Sequence, residues 1–392
     1  MSRLLLFFLL SLASCHTTFT TLYVDTVNQG DGVCVRMNRN AEKASDPIYP
    51  ITSKNMACGA SSLPFNLHPH LLTSTGYDGE KAVSRVCPAK ASSLLTFEFR
   101  EYPDAAQPGA IDISHKGPCA VYMKKVDDAT ADDNAAGDGW FKVWQEDYDS
   151  TAGKWCTEKL IDNDGFLSVR VPGDIVQGDY LVRTELLALH NADANPPDPQ
   201  FYVGCAQVFV QGGGSAKPET VSIGEGTYHL DGMPGLTFNI YDQPMKLPYP
   251  MFGPKVYQSG EANVAANVKV ASAQQVQQHG LKPEGCILVR DNWCGFEVPE
   301  YSTEDGCWSS SEKCWEQSDM CWNTALPTGN SVCQVWQDKC SAIDEACSSG
   351  DYNGPPNKGK DLTPPLKAIQ GSTKVFTSTT KRAHRARRGH GH

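Results

Sequence analysis

Fifteen cysteines in 392 residues constrain this chain more than any other feature. One of them, Cys15, closes an N-terminal stretch, MSRLLLFFLLSLASC, that has the parts of a secretory signal: one basic residue, Arg3, an apolar run of about ten, and small residues before a cut. That run is too short to span a bilayer. Ala13 and Cys15 stand where a signal peptidase reads small side chains, so the cut is expected before His16 and the protein is expected outside the cell. Removing Cys15 leaves 14 cysteines, an even number that in an oxidising compartment implies seven disulfides. Six lie between Cys34 and Cys205 and eight crowd into residues 286–347, which divides the chain into a large domain and a small stapled one.

The small domain has a pattern of its own. Cys307, Cys314 and Cys321 are seven apart, as are Cys333, Cys340 and Cys347, so each trio lies on one face of a helix. Between them NTALPTGNS supplies Pro, Gly and Asn for a turn. An antiparallel helical hairpin pairs these cysteines from the turn outward: Cys321 with Cys333, Cys314 with Cys340, Cys307 with Cys347. Cys286 and Cys294 are left to close a small loop. Fewer than about 80 residues rarely make a stable core unaided, which gives the rungs a physical reason. Trp308, Trp315 and Trp322 each follow a cysteine and form a second stripe, stepping about 10.5 Å along a helix, close to the repeat of an extended glucan. The stripe serves either as a carbohydrate platform or as filling for the small core.

The large domain reads as strands. TTLYVDTV, LLTFEFREY, CAVYMKKV, LSVRVP, DYLVRTELLALH and YVGCAQVFV alternate apolar and polar residues between clusters of Gly, Pro, Asp and Asn. The expected fold is mainly β, an immunoglobulin/fibronectin-like two-sheet β-sandwich followed by the disulfide-stapled α-helical hairpin. The expected boundaries are a signal peptide at 1–15, the sandwich at 16–257, and a linker rich in Gln, Ala, Val and Ser at 258–284. The cysteine-rich hairpin follows at 285–350, then a disordered tail at 351–392. The tail's KRAHRARRGHGH is the only basic cluster in a chain of net charge −11, so no nucleic-acid footprint is present and a neutral substrate is expected. No second stretch approaches the length of a membrane helix, and a monomer is expected.

Four short motifs carry chemistry, although a strand fold alone says nothing of function. They are His16 at the new terminus, SHKGP with His115 in a loop before a strand, ELLALH ending in His190, and QFYVGCAQ. In the last, Gln200 and Tyr202 alternate on one strand face and can point at a common site. An α-amino group has a pKa near 7.7 to 8.0, low enough to lose its proton and bind a metal near neutral pH. Taken singly, each motif also has an ordinary reading, since a lone histidine in a strand protein is more often a packed or surface residue than a ligand and Tyr202 also reads as core. A glycosidase would instead need paired carboxylates about 5 to 9.5 Å apart, and no motif singles out such a pair. His68 and His70, after Cys58, read as a solvated loop.

The order and spacing of HTTF, GVCVRM, CPAKA, SHKGP, VYM, WFKVWQ, LIDNDGFLSVRVPGDI, GDYLVRTELLALH, QFYVGCAQ and GGGSAKPE resemble the fungal cellulose-active lytic polysaccharide monooxygenases, from His16 to about Tyr257. The resemblance implies one copper ion per chain held by His16 and His115, with Tyr202 axial. It places His190 and Gln200 beside it, steering protons and the oxygen co-substrate. It also implies oxidative cleavage of cellulose or a related β-glucan with an external electron donor, at a carbon, C1 or C4, that these residues do not reveal. The alternative on the same fold is a secreted copper-binding or carbohydrate-binding protein without turnover. PYPMFGPKVY resembles the segment carrying a surface aromatic, making Tyr249 the candidate for stacking on a glucose ring. Cys58 and Cys205 match the family's common bridge. Of the three pairings open to the remaining four, Cys34 with Cys87 and Cys119 with Cys156 is favoured.

Overall fold

The computed structural model describes residues 16–59, 81–260 and 276–366. The signal stretch, the His68/His70 pair, most of the linker and the basic end of the tail lie outside the described residues. In chain order the strands are β1 (Thr18–Val24), β2 (Val27–Asp31), β3 (Val35–Arg36), β4 (Cys87–Lys90), β5 (Leu94–Arg100), β6 (Cys119–Lys125), β7 (Gly137–Glu146), β8 (Tyr148–Asp149) and β9 (Lys154–Trp155). A short helix, α1 (Cys156–Asp162), precedes β10 (Phe166–Arg170), β11 (Gly178–Ala188), β12 (Gln200–Gln211) and β13 (Val221–Ile223).

Two sheets face one another, one ordered β10-β5-β1-β2 and the other β13-β7-β6-β11-β12-β3, with β4 paired in parallel to β12. The side-chain period of two sorts the core. Leu22, Phe97 and Leu167 from the first sheet meet Val121, Val182 and Val208 from the second. The neighbouring residues Tyr122, Leu181, Phe201 and Phe209 point to the other face of the second sheet and are buried as well, beneath the loops that carry Ile48, Met56, Tyr228 and Leu236. Strand β11 is therefore buried at every one of its 11 positions, where its sequence had read as alternating. Its outward polar residues stay paired inside the protein. Arg183 Nη1 lies 2.7 Å from Glu185 Oε2, which also accepts the Tyr228 hydroxyl at 2.6 Å.

The structure contains the bridges Cys34–Cys87, Cys58–Cys205 and Cys119–Cys156 in the sandwich, and Cys286–Cys294, Cys307–Cys347, Cys314–Cys340 and Cys321–Cys333 beyond it. The last four hold a β-hairpin, β14 (Cys286–Arg290) and β15 (Trp293–Phe296), and two helices, α2 (Glu304–Asn323) and α3 (Ser331–Ser349). Thr303 caps α2 by accepting from the Gly306 N–H, and α3 ends at Gly350 with φ +80°, the left-handed conformation that favours glycine. Trp336 is fully buried between the helices, its indole N–H donating to the Cys314 carbonyl at 3.0 Å.

The tryptophan stripe of α2 is graded rather than uniform. Trp308 is 44% exposed, whereas Trp315 packs on the hairpin core and donates to Asp344 at 3.0 Å. The first part of the expected disordered tail is a correction. Tyr352 and Leu362 pack against the hairpin core, and the Leu362 N–H donates to the Ile287 carbonyl at 2.7 Å, so this part of the expected tail is docked. No helix among the described residues is long and apolar enough to cross a membrane.

Trp336→Ala is expected to lower the denaturant stability of the hairpin by about 3–5 kcal/mol. Trp308→Ala is expected to change it by no more than about 0.5 kcal/mol. Equilibrium unfolding followed by tryptophan fluorescence and far-ultraviolet dichroism compares the two.

Candidate metal centre

Strand pairing brings the motifs to one end of the sandwich. In the antiparallel register of β11 and β12, Leu186 faces Tyr202 and Ala188 faces Gln200, so the strand end that leads to His190 lies beside the start of the strand that carries Gln200 and Tyr202. The His115 loop extends this ladder, because the Leu187 N–H donates to the Pro118 carbonyl at 3.1 Å and the Leu189 N–H to the Lys116 carbonyl at 2.9 Å. Gly117 permits that approach: a Cβ there would stand 1.9 Å from the Leu187 carbonyl oxygen. The Cys119–Cys156 bridge and the Thr157 hydroxyl, which accepts from the Gly117 N–H at 3.0 Å, tie the loop to α1. His16 enters from β1, next to Thr17, whose hydroxyl donates to the Ala110 carbonyl.

Three rings then stand in a triangle. The ring centroids of His16, His115 and Tyr202 are each 5.9 Å from the other two, with planes inclined by 68°, 44° and 50°. Rings at that spacing leave room for a single ion bound by imidazole nitrogens at about 2.0 Å. His115 is 4% exposed, and its Nε2 is buried with no hydrogen-bond partner among the described residues, while Nδ1 lies 3.2 Å from the Ser114 hydroxyl. A buried acceptor without a partner costs about 1–3 kcal/mol, and a bound metal ion would supply the missing partner. The donor set fits such an ion.

Burial also readies the ligand. The His115 pKa is pushed down to about 4, first by burial and then by the neighbouring His190 and His16 rings, so the imidazole is neutral and its lone pair is free well below neutral pH. Burial lowers the His190 pKa too, and its ring lies 4.2 Å from that of His115. The Tyr202 hydroxyl donates to Gln200 Oε1 at 2.9 Å. His16 Nδ1 lies 3.3 Å from Asp46 Oδ1. In this chain His16 follows fifteen residues, so its nitrogen is an amide, and the amine proposed as a ligand exists only after a cut.

Tyr249 is not at the surface, which corrects its expected stacking role. It is 5% exposed, its ring lies edge-on to Trp155 and Phe238 at 5.3 and 5.2 Å, and its hydroxyl donates to the Gly235 carbonyl at 2.9 Å. The segment folds inward because this aromatic cluster closes the core beneath the loops. Two other tyrosines are exposed near the triangle. Tyr241, 55% exposed, donates its hydroxyl to the His190 carbonyl at 3.2 Å. Tyr49, 73% exposed, follows Ile48, whose N–H donates to the carbonyl of Phe201 beside Tyr202. Short aromatic-bearing turns carry no periodic signal, so the sequence did not single them out. For Tyr241 the available cue was Asn239, whose side chain accepts the Tyr241 N–H at 2.7 Å.

In the metal-free protein the His115 imidazole is expected to titrate near pH 4 by NMR, not near 6.5. The unfolded chain takes up that proton at higher pH than the folded one, so the stability contribution is complete above pH 6.5 and is lost as pH falls toward 4. Melting temperature measured across that window is expected to fall, and less so in His115→Ala.

The model of Auxiliary Activity family 9 (formerly GH61) matches residues 16–249. The chain is 66% identical over 381 residues to the AA9 family lytic polysaccharide monooxygenase C of Aspergillus tamarii, a match covering 96% of this chain and 97% of that protein. It is 59% identical over 369 residues to the AA9 family lytic polysaccharide monooxygenase A of Emericella nidulans, covering 94% of this chain and 61% of that protein. Among solved structures, CvAA9A aligns with a TM-score of 0.50 at 30% identity, covering 62% of this chain and 98% of its own. The family match begins at the residue whose ring opens the triangle, and the relatives extend it through the hairpin. This chain therefore belongs to Auxiliary Activity family 9, the copper-dependent lytic polysaccharide monooxygenases.

Proposed function

We propose that the protein is secreted, that cleavage before His16 completes its metal site, and that it cleaves β-1,4-glucosidic bonds of cellulose oxidatively. Its co-substrate is dioxygen or hydrogen peroxide, and its electrons come from an external donor. The observation that carries this reading is the buried, unpartnered Nε2 of His115, on a ring that forms a triangle with those of His16 and Tyr202.

His16, through its freed amine and ring, His115, through Nε2, and Tyr202 would hold the copper. Copper bound there supplies one-electron chemistry and activation of the oxygen co-substrate. The residues around it then have separate tasks. Gln200 accepts the Tyr202 hydroxyl and so fixes the direction of the phenol. His190 is held neutral by burial and is able to take and return a proton at a ring nitrogen. Tyr241 and Tyr49 present exposed rings on which pyranose faces can stack, one braced against the His190 backbone and the other beside the start of β12.

The test is mass spectrometry of soluble products after incubating copper-loaded protein beginning at His16 with cellulose and a reductant. Oxidised cello-oligosaccharides are expected from the wild type and none from His115→Ala, and the oxidised carbon identifies the bond position attacked. Tyr241→Ala is expected to bind cellulose roughly fivefold more weakly, the equivalent of about 1 kcal/mol of stacking. No oxidised product from cellulose with copper tightly bound would overturn the reading.

A further inference from the structure

Far from the copper triangle, three metal-ligating side chains converge from three parts of the chain. Asp128 lies in the loop after β6, Asp179 is the second residue of β11, and His279 belongs to the segment that leads into the hairpin. One ligand atom from each lies within 4.8 Å of the others. The His279 Nδ1 stands 3.5 Å from Asp128 Oδ1 and 3.5 Å from Asp179 Oδ2. These spacings are long for hydrogen bonds, whose N–H···O distances run from about 2.7 to 3.2 Å, and a single Nδ1 proton cannot serve two carboxylates well. They do match the separation of about 3.4 Å between neighbouring donors around an ion that binds nitrogen and oxygen at about 2.0–2.2 Å in tetrahedral geometry.

The carboxylate oxygens that face the ring are also fixed by neighbouring donors. The Ala129 N–H donates to Asp179 Oδ2 at 2.9 Å, and the Thr130 N–H and hydroxyl donate to Asp128 Oδ1 at 2.7 and 2.6 Å. Such outer contacts are what orient metal ligands. The backbone that carries the histidine is fixed as well. Gln277 donates to the Val86 and His279 carbonyls at 2.9 and 2.8 Å, and the Val86 N–H donates to the Gly280 carbonyl at 3.0 Å, so residues 277–280 lie against the sandwich. Asp179 is 5% exposed, and the ion pair that it makes in the structure is with this ring.

We infer that Asp128, Asp179 and His279 form a second metal site for a zinc-like divalent ion, distinct from the copper site, which clamps the entry segment of the cysteine-rich hairpin to the sandwich. Two carboxylates and one imidazole, with the fourth position open to water, form a donor set that zinc accepts. The ion neutralises the paired negative charge. It also adds a metal-dependent tie to the hydrogen bonds that already hold this segment.

The full-length protein beginning at His16, with its copper site first filled by one equivalent of Cu²⁺, is titrated with Zn²⁺ by calorimetry. One further equivalent is expected. His279→Gln, at a side chain that is partly exposed, is expected to weaken it by roughly ten- to a hundredfold, and Asp179→Asn likewise. Zinc is expected to raise the melting temperature of the wild type and not of His279→Gln. Absence of a further equivalent overturns the inference, as does an equivalent that both variants retain, which would place the zinc elsewhere, for instance on the histidines near the C-terminus.

Discussion

The rest of the structure depends on the antiparallel pairing of β11 with β12. Its register runs unbroken from Gly178↔Val210 to Ala188↔Gln200 and fixes where Gln200, Tyr202 and His190 sit relative to one another. The His115 loop is laid onto the same ladder by the Leu187 and Leu189 amides, with Gly117 allowing the contact. A one-residue slip would turn Tyr202 to the opposite face of the sheet. The metal site is therefore a property of the sheet's register more than of any single loop.

That register is protected by burial on both faces. The inner face of β11 contributes Val182 and Leu186 to the core between the sheets, and its outer face carries Leu181 and Leu187 under the loops. The Arg183–Glu185 pair on the outer face is fully desolvated, and its cost is offset by Tyr228 on the carboxylate and by the Met56 carbonyl, which accepts from Arg183 Nε at 2.9 Å. The Cys58–Cys205 bridge anchors the Met56 segment directly to β12. The loops that shape the surface around the site are thus fastened to the same two strands that hold it.

The sandwich and the hairpin ladder were legible because they leave periodic marks: alternation for strands, a seven-residue cysteine interval for the helices. His16, His115, His190, Gln200 and Tyr202 were legible through short motifs, and the structure brings all five together. What periodicity cannot show is which way an isolated loop aromatic faces. Tyr249 and Tyr241 lie eight positions apart in similar turn-rich sequence, yet one completes a cluster with Trp155 and Phe238 while the other stands in solvent. The start of the tail misled for a related reason, since its Pro- and Gly-rich composition hides Tyr352 and Leu362, whose side chains pack on the hairpin core. The Asp128–Asp179–His279 cluster was invisible because its members are up to 151 positions apart and His279 meets the two aspartates only through the docking of residues 277–280.

The central claim is that the freed amine of His16 is a copper ligand together with the His16 and His115 imidazoles. The direct measurement is the Cu²⁺ affinity of a chain beginning at His16 against one carrying a single extra glycine before it. The account predicts one tight equivalent in the first and binding weakened at least about a hundredfold in the second, since the added residue converts the amine into an amide without a basic lone pair. Equal affinity in the two chains would contradict it.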